Sequence, residues 1–187
     1  MEEDIGRAAG SAAARSLKDR DKTLRKEIME IYILRHGEAG VRKAGRSDGE
    51  RKLVASGKRD LRAVLKIAGK LGVAPQVILT SPLRRAQETA EIAAQMLGCK
   101  RVVETKSLLP GASPQLVWKE IGGLQKVESV LIAGHNPHLG SLIALLLEAA
   151  VMVDLKKGAL VRITTQSKLG PPRGVLKWML TPKMAKA

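Results

Sequence analysis

The amino-acid sequence predicts an α/β fold: a three-layer α/β/α sandwich built on a mostly parallel central sheet. Two observations carry this expectation. Short apolar runs of strand character alternate with segments whose apolar residues recur at helical spacing. The junctions are punctuated, by Ser-Pro ahead of a helix or by Gly behind one. With 187 residues and 44% hydrophobic side chains, the chain is sized for one domain with a proper core.

Residues 1 to 27 differ in composition from the rest of the chain, being rich in Ala, Arg, Lys and Asp. Leu17, Leu24 and Ile28 fall at roughly helical spacing. The sequence reads them as an N-terminal extension, helical or loosely ordered, ahead of a domain spanning 28–187. Mixed-sign charge runs of this kind are ordinarily solvated faces, so no chemistry is assigned there.

Ile28 to Leu34 is an Ile-rich apolar run that reads as the first strand. It delivers Arg35 and His36 to its end before Gly37 stops it. A polar, basic loop from Ala39 to Lys52 leads into a helix from Leu53 to Leu71. Its buried face carries Leu61, Val64, Leu65, Ala68 and Leu71, with Gly72 at the C-terminal cap. Gln76 to Thr80 is a second strand. Ser81-Pro82 then supplies an N-cap and a proline at the first helical position, opening a helix to about Leu97. Arg101 to Thr105 reads as a third strand, and Ser113-Pro114 repeats the helix start through about Ile121. Val127 to Ala133 is the fourth strand; His135 stands just past it, and a helix from about His138 to Ala149 comes next. The apolar stretch Leu142 to Val153 is interrupted by Glu148 and suits a core helix running into a strand, not a membrane span. Gly158 to Thr165 and Gly174 to Leu180 close the chain as an antiparallel pair.

Cys99 is the only cysteine, which excludes an intramolecular disulfide and a cysteine-based zinc site. The acidic opening Met1-Glu2-Glu3-Asp4 is followed by no apolar stretch of a secretory signal, so a cytoplasmic protein without a membrane anchor is the simplest expectation. The formal charge of +15 is compatible with nucleic acid, an acidic partner or an anionic substrate. Its dispersal along the chain, with two Trp, one Tyr and no Phe for stacking, argues against nucleic acid.

Three segment ends carry chemistry: Arg35-His36, Arg84-Arg85 and His135. Each has a plain reading alone, as a polar strand end or a pair of solvent-facing arginines. In a doubly wound sheet these ends converge on one side. Two histidines and two or more arginines around one point would hold a tetrahedral dianion. Cations at the start of a helix oppose its dipole, which makes sense where an anion binds nearby. No Ser-centred elbow, Cys-x5-Arg loop or carboxylate cluster for a metal competes.

Arg35-His36-Gly37-Glu38 resembles the RHG signature of the histidine phosphatase (phosphoglycerate mutase-like) superfamily. Ser47-Asp48-Gly49-Glu50-Arg51-Lys52-Leu53, with Gly57, resembles that family's S-D-x-E-R-P-L-T-x-x-G segment. Ser81-Pro82-Leu83-Arg84-Arg85-Ala86, with Thr89 and Ala90, resembles its S-P-x-x-R-A-x-x-T-A helix, and Gly134-His135-Asn136-Pro137 its G-H-N-P turn. The short length, the absence of a large helical insertion and Trp178-Met179-Leu180-Thr181-Pro182 near the C-terminus resemble the SixA-like phosphohistidine phosphatase branch.

The resemblance implies a phosphatase that needs no metal and no cofactor. His36 would be the nucleophile, forming a phosphohistidine intermediate, with cations nearby lowering its pKa. Arg35 and Arg85 would clamp phosphoryl oxygens and His135 would donate to the same group. Glu38, Asp48, Arg51 and Arg84 are further substrate-binding candidates. The partner would be a phosphohistidine-containing protein or a phosphorylated small molecule. Lys52 and Val54 depart from the usual proline and helix-capping Thr or Ser. The segment where larger relatives place a proton-donating acid reads Ser107-Leu108-Leu109-Pro110-Gly111, without a carboxylate. Glu104 is nearby but falls in a strand. Loss of the acid favours a phosphoramidate, whose nitrogen is itself basic. A phosphomonoesterase acting on a small metabolite, and a phosphate- or nucleic-acid-binding module without turnover, are the alternatives. His138 is read as a helix-start or pocket-rim residue, Trp118 and Trp178 as packing, and Cys99 as a buried small apolar group.

Overall fold

A computed structural model describes residues 28–41, 45, 47–166, 168 and 170–187. The expectation for residues 1 to 27 lies outside the described residues. The strands are β1 (Met29–Arg35), β2 (Val77–Thr80), β3 (Val102–Glu104), β4 (Ser129–Gly134), β5 (Leu160–Thr165) and β6 (Val175–Leu180). Among the described residues, four α-helices join them: α1 (Ala55–Lys70), α2 (Arg84–Leu97), α3 (Pro114–Gly123) and α4 (His138–Leu146).

The strands form one six-stranded sheet in the order β3-β2-β4-β1-β5-β6. β3, β2, β4 and β1 run parallel, and β5 and β6 add antiparallel at one edge. Alternation along β1 divides the core. Met29, Ile31 and Ile33 face a cluster containing Val117 and Ile121 of α3 and Leu139, Leu142 and Leu146 of α4. Tyr32 and Leu34 face the opposite cluster, with Leu61, Val64, Leu65 and Ala68 of α1 and Ala90, Ile92 and Ala93 of α2. Helices on both faces complete the three layers that the alternation of elements predicts.

Register sets the site. Arg35 lies opposite Gly134 and Thr80 opposite Ala133, so β1, β2 and β4 end level with one another. The antiparallel β5 begins beside Leu34, which brings the turn before it to the same edge of the sheet. Loops leaving level parallel ends form the crevice where open α/β sheets bind ligands.

The structure corrects several boundaries. Leu71 is not on the buried face of α1. It is 54% exposed, because the helix ends at Lys70 and the chain turns away at Gly72, whose φ is +78. The helix after Ser81-Pro82 begins at Arg84, with Leu83 as an N-cap that offers no side-chain bond. Val54 likewise caps α1 without a side-chain bond, as expected from the residue that replaces Thr or Ser. α3 continues through Gly122-Gly123 beyond the expected end at Ile121. α4 stops at Leu146, short of Ala149, where Glu148 adopts a positive φ of 49. The helix does not run directly into a strand: residues 151–156 are irregular, and β5 begins only at Leu160. No helix among the described residues is long and apolar enough to cross a membrane.

Candidate active site

The end of β1 is held on three sides. His36 N–H donates to the Gly134 carbonyl at 3.0 Å, tying the first strand end to the fourth. Gly37 N–H donates to Thr89 Oγ1 at 3.2 Å, and that hydroxyl donates to the Arg85 carbonyl at 2.7 Å. Gly37 and Gly57 are demanded by the approach of α1. A Cβ at Gly37 would stand 2.7 Å from Leu61 Cδ1, and one at Gly57 only 2.3 Å from the Glu38 carbonyl oxygen. His36 thus sits on a backbone clamped between β4, α1 and α2.

His36 and His135 are both buried, with ring centroids 5.0 Å apart and planes tilted by 55°. His36 Nδ1 lies 2.7 Å from the Gly37 carbonyl oxygen. A carbonyl only accepts, so Nδ1 carries the proton and Nε2 keeps its lone pair. Burial is the first cause holding the His36 pKa down, to about 4, with Arg85, Arg35 and Lys157 adding to it. His135 is pushed to about 3, again by burial first and then by His36 and Arg85. Sequence reasoning assigned the lowering to neighbouring cations; the cations take part, but desolvation leads.

His135 Nε2 is 2.9 Å from Ser81 Oγ, while its Nδ1 is buried with no hydrogen-bond partner. Arg85 is buried in the first turn of α2, where its Nη1 donates to the Asp48 carbonyl at 2.9 Å and pairs with Asp48 Oδ2 at 3.0 Å. Arg35 Nη1 donates to the Leu155 carbonyl, and its Nε is buried without a partner. Two neutral imidazoles and two guanidiniums therefore converge at one edge of the sheet. Such a set can present a nucleophilic nitrogen and fixed donors to a tetrahedral anion. No group of three His, Cys, Asp or Glu side chains among the described residues is placed to hold a metal ion.

Residues 31–109 match the family model of the histidine phosphatase superfamily (branch 1). A Picosynechococcus protein is 34% identical over 118 residues, covering 60% of this chain and 69% of its own length. The phosphohistidine phosphatase SixA of Escherichia coli is 29% identical over 168 residues, 85% of this chain and 99% of that protein. A solved structure of the protein histidine phosphatase SixA complexed with tungstate superposes with a TM-score of 0.76 at 26% identity. It covers 83% of this chain and 98% of its own. The chain belongs to the histidine phosphatase superfamily. Within it, the near full-length match to SixA in sequence and structure makes the chain SixA-like.

The remaining candidates of this superfamily member lie around the central four. Asp48 is half-exposed, and Arg51 donates to it from Nη1 at 2.9 Å; that hydrogen bond leads the causes that hold the Asp48 carboxyl below its usual range. Arg51 Nε donates to the Gly40 carbonyl at 2.7 Å, so this side chain organises the loop. Arg84 Nε donates to Glu88 Oε1 at 3.2 Å and is not gathered with Arg85. Glu38 lies at the mouth, paired with Lys157 at 2.8 Å.

Sequence reasoning missed three residues. Ser81 was taken as a helix cap, yet its hydroxyl meets His135, 54 residues away. Glu88, buried on α2, accepts from the Leu53 amide at 2.8 Å and holds the 48–54 segment to the helix. Lys157 stands in the basic turn Lys156-Lys157-Gly158 just ahead of β5; that pair of lysines before a glycine was the available signal. His138 is the first residue of α4, as expected, but it is buried instead of lying on a rim. Glu104 in β3 accepts from Gln87 Nε2 at 2.6 Å, and Glu120 accepts from the Thr105 and Ser107 hydroxyls at 2.8 and 2.6 Å.

Proposed function

We propose that this phosphatase removes phosphoryl groups from phosphohistidine through a covalent intermediate on His36. The observation that carries the reading is the His36 tautomer: Nδ1–H is committed to the Gly37 carbonyl, which leaves Nε2 as the nucleophile. Nε2 attacks phosphorus, and an N–P bond forms as the bond to the substrate's imidazole nitrogen breaks. That imidazole leaves as the neutral ring, having taken a proton from solvent. Water then attacks phosphorus, the His36 N–P bond breaks, inorganic phosphate departs and neutral His36 returns. Arg35, Arg85 and His135 hold the phosphoryl oxygens through both steps. The unpartnered Arg35 Nε and His135 Nδ1 supply donors that such oxygens would satisfy.

Two further facts support the substrate class. The carboxylates nearest the segment after β3, Glu104 and Glu120, are occupied by neighbouring donors. An alkoxide leaves poorly without an acid, whereas an imidazole nitrogen is protonated readily. The full-length resemblance to a phosphohistidine phosphatase points the same way.

The test is metal-free turnover of a histidine-phosphorylated protein beside a panel of phosphate monoesters, for wild type and His36→Ala. Phosphohistidine should be lost at least about tenfold faster than any ester, corresponding to roughly 1.4 kcal/mol in the barrier, and the substitution should abolish it. Dominant ester hydrolysis would reassign the substrate to a small phosphorylated metabolite. Absence of any His36-dependent turnover would leave a phosphate-binding module.

A further inference from the structure

The turn before β5 is fastened to the strand that carries the nucleophile. Gly158 N–H donates to the carbonyls of both Arg35 and His36, at 3.1 Å each, and Gly158 takes a left-handed φ of +75. Lys157 is therefore fixed at its backbone beside His36, while its ammonium donates to both oxygens of Glu38 at 2.8 and 2.9 Å. Glu38 is fixed as firmly, since its carbonyl accepts from the Val54 amide at 3.0 Å and its backbone packs on Gly57.

The two side-chain ends are the exposed parts of this arrangement. Lys157 is 39% and Glu38 48% exposed, and an ion pair in such surroundings contributes little and reopens easily. An ammonium has three donors, and Glu38 takes two of them. The charge of Lys157 is also felt at the His36 ring, where it opposes protonation. A cation that acts on the nucleophile acts more strongly on a phosphoryl dianion bound there, which carries more charge than the Glu38 carboxylate.

We propose, building on the phosphatase reading above, that Lys157 is a further phosphoryl-binding residue, parked on Glu38 and drawn onto substrate oxygens as they enter. Glu38 then competes with substrate for the ammonium and is not itself a substrate ligand. Lys156 provides the internal comparison, because it pairs with Asp154 two residues away and is 69% exposed.

The experiment is calorimetric binding of tungstate to the full chain at low salt, together with KM and kcat on a histidine-phosphorylated protein. Lys157→Met should weaken tungstate binding and raise KM by about tenfold, the scale of one charge-assisted hydrogen bond. Lys157→Arg should restore both, Glu38→Gln should tighten tungstate binding, and Lys156→Met should match wild type. Wild-type affinity and KM in Lys157→Met would overturn the assignment. So would weakening by Glu38→Gln equal to that by Lys157→Met, since the pair would then be structural. Failure of wild type both to bind tungstate and to show His36-dependent turnover would instead bring down the phosphatase reading, and this role with it.

Discussion

His36 and His135 stay neutral because the fold withdraws both rings from water at a point already lined with cations. That arrangement has a cost that depends on pH. As pH falls, histidines in the unfolded chain protonate near 6.5, while the folded rings resist to about 4 and about 3. Between these values the unfolded state binds more protons, so stability declines as pH drops through that window. Urea unfolding midpoints measured from pH 7 to pH 4 should fall steadily, and less steeply in His36→Gln. Equal slopes for the two proteins would show that His36 is not the titrating group. Ser81 offers a second residue-scale test. Its Oγ accepts from the Leu83 amide at 3.4 Å, so the hydroxyl hydrogen is available to His135 Nε2. Donation there would leave His135 Nδ1–H to serve the phosphoryl group. Ser81→Ala should reduce kcat about tenfold while costing only about 1 kcal/mol of stability. A variant with unchanged kcat would remove Ser81 from the proton arrangement.

Elements were legible where their signals are local. The Ile-rich β1, the apolar stripe of α1 as far as Ala68 and the glycines behind α1 and α2 form within a residue or two of where their patterns place them. What the sequence concealed are contacts between residues far apart in the chain. Ser81 reads as a cap because its neighbours look like a helix start, and nothing local reveals His135 as its partner. Glu88 reads as one more polar residue on a helix, although it is buried against the Leu53 amide, Arg84 and, at 3.8 Å, Lys58. The convergence of Arg35-His36, Arg84-Arg85 and His135 was legible for a different reason: each stands at the end of a recognisable segment, and a parallel sheet brings such ends together. The choice of Arg85 over Arg84, by contrast, came from the family resemblance. Glu88 shows how α2 fastens the loop that carries Asp48. Glu88→Ala strands the buried Leu53 amide and should cost about 1 to 3 kcal/mol in urea unfolding. Glu88→Gln keeps an acceptor and should cost less; equal losses would mean that the charge of Glu88, not its acceptor, holds the segment.

Across the whole molecule, the sheet separates two packed layers with unequal relations to the site. α1 and α2 press directly on the nucleophile's turn, through Leu61 against Gly37, Gly57 against Glu38 and Thr89 to Gly37. α3 lies on the opposite face, where Ile121 is fully buried in the other cluster. Truncation in either layer removes comparable apolar contact, so Leu61→Ala and Ile121→Ala should each lose about 2 to 5 kcal/mol of stability. Their effects on turnover should diverge. A cavity beside Gly37 lets the His36 backbone shift, and misplacement of about 1 Å can cost about a hundredfold in rate. The same cavity beneath α3 leaves Gly37, Thr89 and Gly57 in place. Measured at a temperature where both variants remain folded, kcat should fall much further for Leu61→Ala than for Ile121→Ala. Parallel losses in the two variants would mean that the sheet transmits packing defects to the site from either face, and that α1 has no special hold on His36.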